Sequence, residues 1–208
     1  MPVSDNVSSR LAAALRANET LWECLQRCRG LNLPAWYLGA GCVAQTVWNL
    51  AHGKAPGADI LDYDLVYYDR DLSEERERKM TRHARELVAD LHIDLDVTNE
   101  ARVHFWYSQR FGYRIQPYRS TEDAIGTWPT TATAIGVRLD GVQLEVCAPL
   151  GTDDLFNLVV RPNRVQSTPG IYDAKVSRWA ARWPSLVVLT WEDGVGSPGL
   201  RRLDTAIR

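Results

Sequence analysis

The sequence predicts a domain of mixed α and β class, and three patterns carry that expectation. Leu11, Ala14 and Leu15, then Leu21, Trp22, Leu25 and Cys28 recur at three- and four-residue steps, as apolar residues do on one face of a helix. Acids alternate with apolar residues in Leu61–Tyr67 and again in Ile93–Val97, the two-residue period of a strand. Two segments, Ala132–Leu139 and Gln143–Cys147, flank Asp140-Gly141, a strong hairpin turn signal. Hydrophobic residues make up 45% of the 208, enough to bury a core and to exclude general disorder.

Taken in order, a helical segment spans residues 8–29 and ends before Pro34. Trp36-Tyr37-Leu38 reads as a short buried strand. Gly39-Ala40-Gly41 forms a tight turn, and a helix from about Cys42 to His52 carries Val43, Val47 and Leu50 on one stripe. Lys54–Ile60, with Pro56 and Gly57, is a loop before the strand Leu61–Tyr67. Ser73 is placed to cap a charged helix running to about Asp90, with Glu74 and Glu75 in its first turn. Ser120-Thr121-Glu122-Asp123 resembles a further helix start, closed by Trp128-Pro129. Ile171–Trp183 reads as a helix stopped by Pro184, and Leu186–Trp191 as a strand. Residues 1–191 are expected to form one domain and 192–208 a mobile tail with little to bury.

Charge and cysteine usage narrow the function classes. A net charge of -2 argues against a broad basic nucleic-acid-binding face, though it leaves an RNA acceptor open. The uncharged stretch Gly30–Gly53 carries Asn32, Gln45, Thr46 and Asn49, so it is not a membrane span. Met1–Arg10 lacks the apolar run of a signal peptide. Cys24, Cys28, Cys42 and Cys147 show no zinc spacing and read as small core residues of a cytoplasmic protein.

The chemistry lies in three features that follow one another. Gly39-Ala40-Gly41 stands between a strand and a helix, where glycine admits a phosphate close to the backbone and helix N–H groups face an anion. Asp62 and Asp64 sit two apart on a strand, so both carboxylates face one way while Tyr63 faces the other. Like charges so close require a cation. Mg²⁺ suits them, since it takes a few carboxylates together with substrate phosphates. Asp94 and Asp96 repeat the arrangement, and Asp96 is favoured as third carboxylate because it is nearer the strand end where a site would open. Such a triad holds two metals for in-line phosphoryl-type transfer.

Gly39-Ala40-Gly41-Cys42-Val43 followed by Asp62-Tyr63-Asp64 resembles the signature of the polymerase-β-like nucleotidyltransferase superfamily. The blocks Trp36–Asp69, Val97–Tyr107, Tyr118–Ile125, Trp128–Ala134 and Gly151–Pro162 resemble one bacterial group within it, an uncharacterised nucleotidyltransferase family. The resemblance implies a small mixed sheet flanked by helices and an enzyme that moves a nucleoside monophosphate from an NTP to an acceptor. It implies that Asp62 and Asp64 bind Mg²⁺, that Asp96 binds metal or helps deprotonate the acceptor, and that Gly39 and Gly41 shape the turn holding the nucleotide phosphates, with Cys42 beside them as a further nucleotide contact. Cys42 stands where a serine hydroxyl often helps hold phosphate, and Ala44 replaces an arginine common in tRNA-end-adding enzymes. Those departures point away from tRNA-end addition.

Arg102 and His104, on one side if the second acidic strand continues, and Arg119 are further candidates for phosphate contact. Two rival readings share these residues. One is a binding module that keeps the fold without turnover. The other is a dinucleotide-binding oxidoreductase, since Gly39-Ala40-Gly41-Cys42-Val43-Ala44 fits the G-x-G-x-x-(G/A) fingerprint.

Overall fold

The opening helical segment is two helices, α1 (Asp5–Arg16) and α2 (Glu19–Cys28), in a computed structural model that describes residues 5–203. Asn18 makes the break. Its side chain accepts from the Leu21 N–H at 3.2 Å, capping α2, and donates to Thr46 Oγ1 at 2.8 Å. Leu11, Leu15, Leu21, Cys24 and Leu25 are buried on the inner faces of the pair.

The chain then runs through β1 (Tyr37–Gly39), α3 (Gly41–Ala51), β2 (Asp62–Tyr67), α4 (Glu74–Leu87) and β3 (Asp94–Asn99). Ser73 occupies the N-cap of α4 without a side-chain cap bond. A single 3₁₀ turn over Glu100–Arg102 leads into α5 (Val103–Phe111), β4 (Arg114–Ile115) and α6 (Thr121–Ile125). The hairpin follows as β5 (Gly136–Asp140) and β6 (Gln143–Cys147), with Gly141 at φ +58° in the turn. The remainder comprises α7 (Asp153–Phe156), β7 (Val159–Val160), α8 (Pro169–Arg182), β8 (Val187–Val188) and β9 (Arg202–Leu203). The expected strand Leu186–Trp191 contracts to β8, paired parallel with β7.

Five strands form the main sheet in the order β3-β2-β1-β5-β6. Only β2 and β3 are parallel, as the crossover helix α4 requires; β1 runs antiparallel to both β2 and β5. A doubly wound sheet would be parallel at its centre, so the oxidoreductase reading fails here. The mixed sheet with flanking helices is the architecture the resemblance implied.

Alternation divides β2 and β3 between two environments. Tyr63, Leu65 and Tyr67 with Leu95 and Val97 are buried in the core, which leaves the acidic face of both strands for a cleft. Helix α8 closes the far side. Thr168 caps it by accepting from Ile171 N–H at 3.3 Å, with Pro169 in its first turn. Beyond its end, Trp183 donates its indole N–H to Asn49 Oδ1 at 2.8 Å and meets Trp48 edge-on with ring centroids 5.3 Å apart. Residues 192–203, expected within a mobile tail, are bonded to the body. Val195 N–H donates to Pro162 O at 2.9 Å, Arg201 N–H to Val165 O at 3.1 Å, and β9 pairs with β4. Residues 204–208 lie outside the described residues. No helix among the described residues is long and apolar enough to cross a membrane.

Candidate active site

The register of β2 against β3 sets Asp62 opposite Asp94 and Asp64 opposite Asp96. Four carboxylates therefore stand two by two on one face of two adjacent strands. They form the floor of a cleft of about 760 Å³, together with Val66, Thr98 and Glu100, a volume ordinary for a small-molecule site. Asp96 is the partner of Asp64 because of this register; it is not near the strand end, since β3 runs on to Asn99. None of the four carboxylates has a hydrogen-bond or ion-pair partner among the described residues.

The consequences of that crowding appear in the acids that are least exposed. Burial, then the charge of Asp96, pushes the Asp64 carboxyl up to about 6, with Lys175 opposing. Glu100 is buried, and desolvation followed by the charges of Asp64 and Asp96 carries it to about 8. Burial and the neighbouring carboxylates therefore favour the protonated, neutral form of Glu100 far more than in an ordinary glutamate.

The opposite wall is cationic. Ile171, Lys175, Arg178, Trp179 and Arg182 of α8 line the cleft at helical spacing, and Arg110 of α5 joins them. Burial lowers the Lys175 ammonium, while Asp64 draws it back toward the charged form. Trp106, Tyr107 and Phe111 of α5 and Trp128 supply aromatic surface. A second, more open hollow of about 460 Å³ between α4 and α5 shares Asp96, Thr98, Trp106 and Arg110 with the first.

The glycine turn meets the cleft at Ala40 and Gly41. Ala40 adopts φ +55° and ψ -121°, a backbone conformation that L residues seldom take, and begins α3 without a side-chain cap. The initial N–H groups of α3 are thus left without a side-chain acceptor at the cleft edge. Gly39 lies one residue back in the packing: a Cβ there would sit 2.5 Å from Ile135 O and 3.0 Å from the Trp128 ring.

Besides Gly39, four expected nucleotide contacts are not brought to the cleft lining. Cys42 is fully buried, donates its thiol to Gly39 O at 3.1 Å, and faces the core. Burial raises its pKa well above the usual thiol value. Arg102 is buried and ion-paired with Glu77. The strand does not continue to present it, because Asn99 accepts from Ala101 N–H at 3.2 Å and turns the chain. His104 packs at a tilt against Phe105, ring centroids 4.0 Å apart and planes 42° to one another, outside the cleft lining. Arg119 is exposed, and its backbone N–H donates to Asp123 at 2.9 Å. Sequence reasoning in turn missed the basic face of α8 and the whole of α5. The steps Val103, Trp106, Tyr107, Arg110 and Phe111 carry the helical period that would have found α5.

Among the described residues, no three metal-ligating side chains converge into a ready-made cation cage. The donor set nevertheless suits Mg²⁺, which takes one or two carboxylates and completes its shell with substrate phosphate oxygens and water.

A family model described as nucleotidyltransferase matches residues 26–188. A solved NMR structure, described as revealing a CCA-adding enzyme head domain, is similar at 26% identity and a TM-score of 0.68, covering 85% of this chain and 94% of that one. No curated protein matches the chain.

Proposed function

The chain belongs to the nucleotidyltransferase family, and on that premise we propose that it is a Mg²⁺-dependent enzyme transferring a nucleoside monophosphate from an NTP to an acceptor. The observation that carries this reading is the pairing of Asp62 and Asp64 with Asp94 and Asp96 on the cleft floor, opposite the cations of α8. Repelling acids without protein partners need a cation, and a cationic wall facing them suits a polyphosphate.

Asp62, Asp64 and Asp96 are the proposed Mg²⁺ ligands, with Asp94 as the alternative third. The bound metal would neutralise charge on the phosphates and on the attacking oxygen. Lys175, Arg178 and Arg110 hold the triphosphate, and the free N–H groups at the start of α3 approach it beside Gly41. Asp96 borders both hollows, so it is positioned to take the proton of an acceptor entering between α4 and α5. The acceptor oxygen bonds to the α-phosphorus, the bond from that phosphorus to the bridging oxygen breaks, and pyrophosphate leaves. The similar structure is described as a CCA-adding enzyme head domain. Here the acceptor is left as a hydroxyl or phosphate of unassigned origin, because Ala44 replaces an arginine common in tRNA-end-adding enzymes.

The test is thermal unfolding with each NTP, with and without Mg²⁺, followed by pyrophosphate release from the NTP that binds. At a hundredfold excess over Kd a native-state ligand adds about 2.7 kcal/mol, an upward Tm shift of about 5–10 °C at this chain length. The shift should require Mg²⁺ and disappear in Asp64→Asn. Binding that ignores both Mg²⁺ and the substitution would refute the metal site. Mg²⁺-dependent binding without pyrophosphate release for any acceptor class would favour a module that has lost turnover.

A further inference from the structure

The cleft lining also carries uncharged polar side chains, Tyr118, Thr127, Gln166 and Ser167, and the hydrogen bonds among the first three have a fixed direction. Thr127 Oγ1 donates to Ala124 O at 2.8 Å, so toward Tyr118, 3.0 Å away, it acts as acceptor. The Tyr118 hydroxyl proton is thereby committed to Thr127. Its oxygen then accepts from Gln166 Nε2 at 2.7 Å. This relay fixes which way the Gln166 amide points, an assignment that ordinarily has to be inferred from the network. Nε2 is on Tyr118, and Oε1 is left with no partner among the described residues. The adjoining Ser167 Oγ has none either. Gln166 is 4% and Ser167 3% exposed, yet both line the cleft.

Buried polar atoms of this kind are costly to leave unpaired. The segment carrying them is held firmly by its backbone. Gln166 O accepts from the Tyr113 hydroxyl at 2.8 Å and from Arg202 Nε at 3.1 Å, and Arg202 also reaches Ser167 O. Two side chains with unsatisfied polar atoms, carried on a firmly held backbone, thus belong to the lining of a cleft whose walls include Trp106 and Trp128.

We propose that Gln166 and Ser167 read the edge of the nucleobase of the bound NTP, Oε1 accepting a base N–H and Oγ meeting the adjacent base acceptor. The proposal rests on the nucleotidyl-transfer reading above and adds to it the part of the substrate that sets specificity. An amide oxygen beside a hydroxyl complements an N–H next to an acceptor, the pattern of a hydrogen-bonding base edge. Aromatic rings in the same cleft offer the stacking surface such a base needs. A phosphate supplies no donor for Oε1 and belongs with the cations of α8.

The experiment is equilibrium binding in Mg²⁺ to the full chain and to Gln166→Leu and Ser167→Ala. Three probes are used: the tightest of the four NTPs, its analogue lacking the base-edge N–H, and ribose 5-triphosphate. Gln166→Leu should weaken the NTP by about tenfold to a hundredfold, as loss of a base-edge contact does. Ribose 5-triphosphate should bind both proteins equally, and the analogue should bind the unaltered protein about as weakly as the NTP binds the variant. Equal NTP binding by unaltered and folded variant protein overturns the base subsite and leaves the transferase reading standing. Equal loss of NTP and ribose 5-triphosphate overturns it in favour of a sugar contact. No NTP binding by the unaltered protein removes both readings. Should Gln166→Leu not fold, Ser167→Ala and the analogue on the unaltered protein decide the question.

Discussion

Asp64→Asn should stabilise the metal-free protein at alkaline pH while destroying its proposed metal site. In the folded chain the Asp64 carboxyl loses its proton at about 6 instead of 3.8, first because it is desolvated and then because Asp96 stands opposite. The unfolded chain releases that proton near the ordinary value. Between the two, the folded state binds more protons than the unfolded one, so stability falls as pH rises through this window and the full cost is present above it. The full difference corresponds to about 3 kcal/mol; because Asp64 is only half-buried, screening reduces this to about 1–2 kcal/mol. Asparagine keeps the shape and removes the charge. Thermal unfolding in EDTA at pH 8 should therefore give a Tm about 2–8 °C higher for the variant. Near pH 4 the two proteins should approach one another. A variant no more stable at pH 8, or one whose advantage is unchanged at pH 4, would show that charge repulsion at this site is not what opposes folding.

Other substitutions test neighbouring parts of the argument. Glu100→Gln should stabilise the chain progressively as pH rises through the window ending near 8, because the native residue holds its proton to about that value; chemical denaturation at pH 6 and pH 9 reads the difference. Cys42→Ser should leave NTP affinity unchanged, since the side chain faces Gly39 O in the core, and isothermal titration would detect a gain if the hydroxyl reached phosphate. Gly39→Ala should lower stability by about 2–4 kcal/mol in urea unfolding, because the added Cβ has only the Ile135 carbonyl and the Trp128 ring to move into.

Local pattern was enough for much of the frame. The i, i+2 spacing of Asp62 with Asp64 and of Asp94 with Asp96 dictates that each pair shares a strand face, whatever surrounds them. The Asp140-Gly141 turn specified its own hairpin for the same reason: the information lies within a few neighbouring residues. Local pattern misled where a side chain redirected the backbone. Asn99 ends β3 by capping the next turn, which sends Arg102 to Glu77 and begins a helix whose aromatics face the cleft. The tail from Glu192 looked unable to bury itself, yet backbone bonds to Pro162 and Val165 hold it, and those partners are about thirty residues or more away in sequence.

The site divides along the same line. Sequence alone determined which acids travel together, because strand alternation is a property of the chain's own geometry. Only the tertiary structure decided that Asp64 faces Asp96 and Asp62 faces Asp94, since register between strands depends on how α4 packs across them. Only it set the basic face of α8 opposite those acids, through Trp183 anchored on Asn49 at the far end of the helix. Only it left Gln166 Oε1 without a partner, because the relay that orients the amide joins Ala124, Thr127, Tyr118 and Gln166 through bonds that no local pattern encodes.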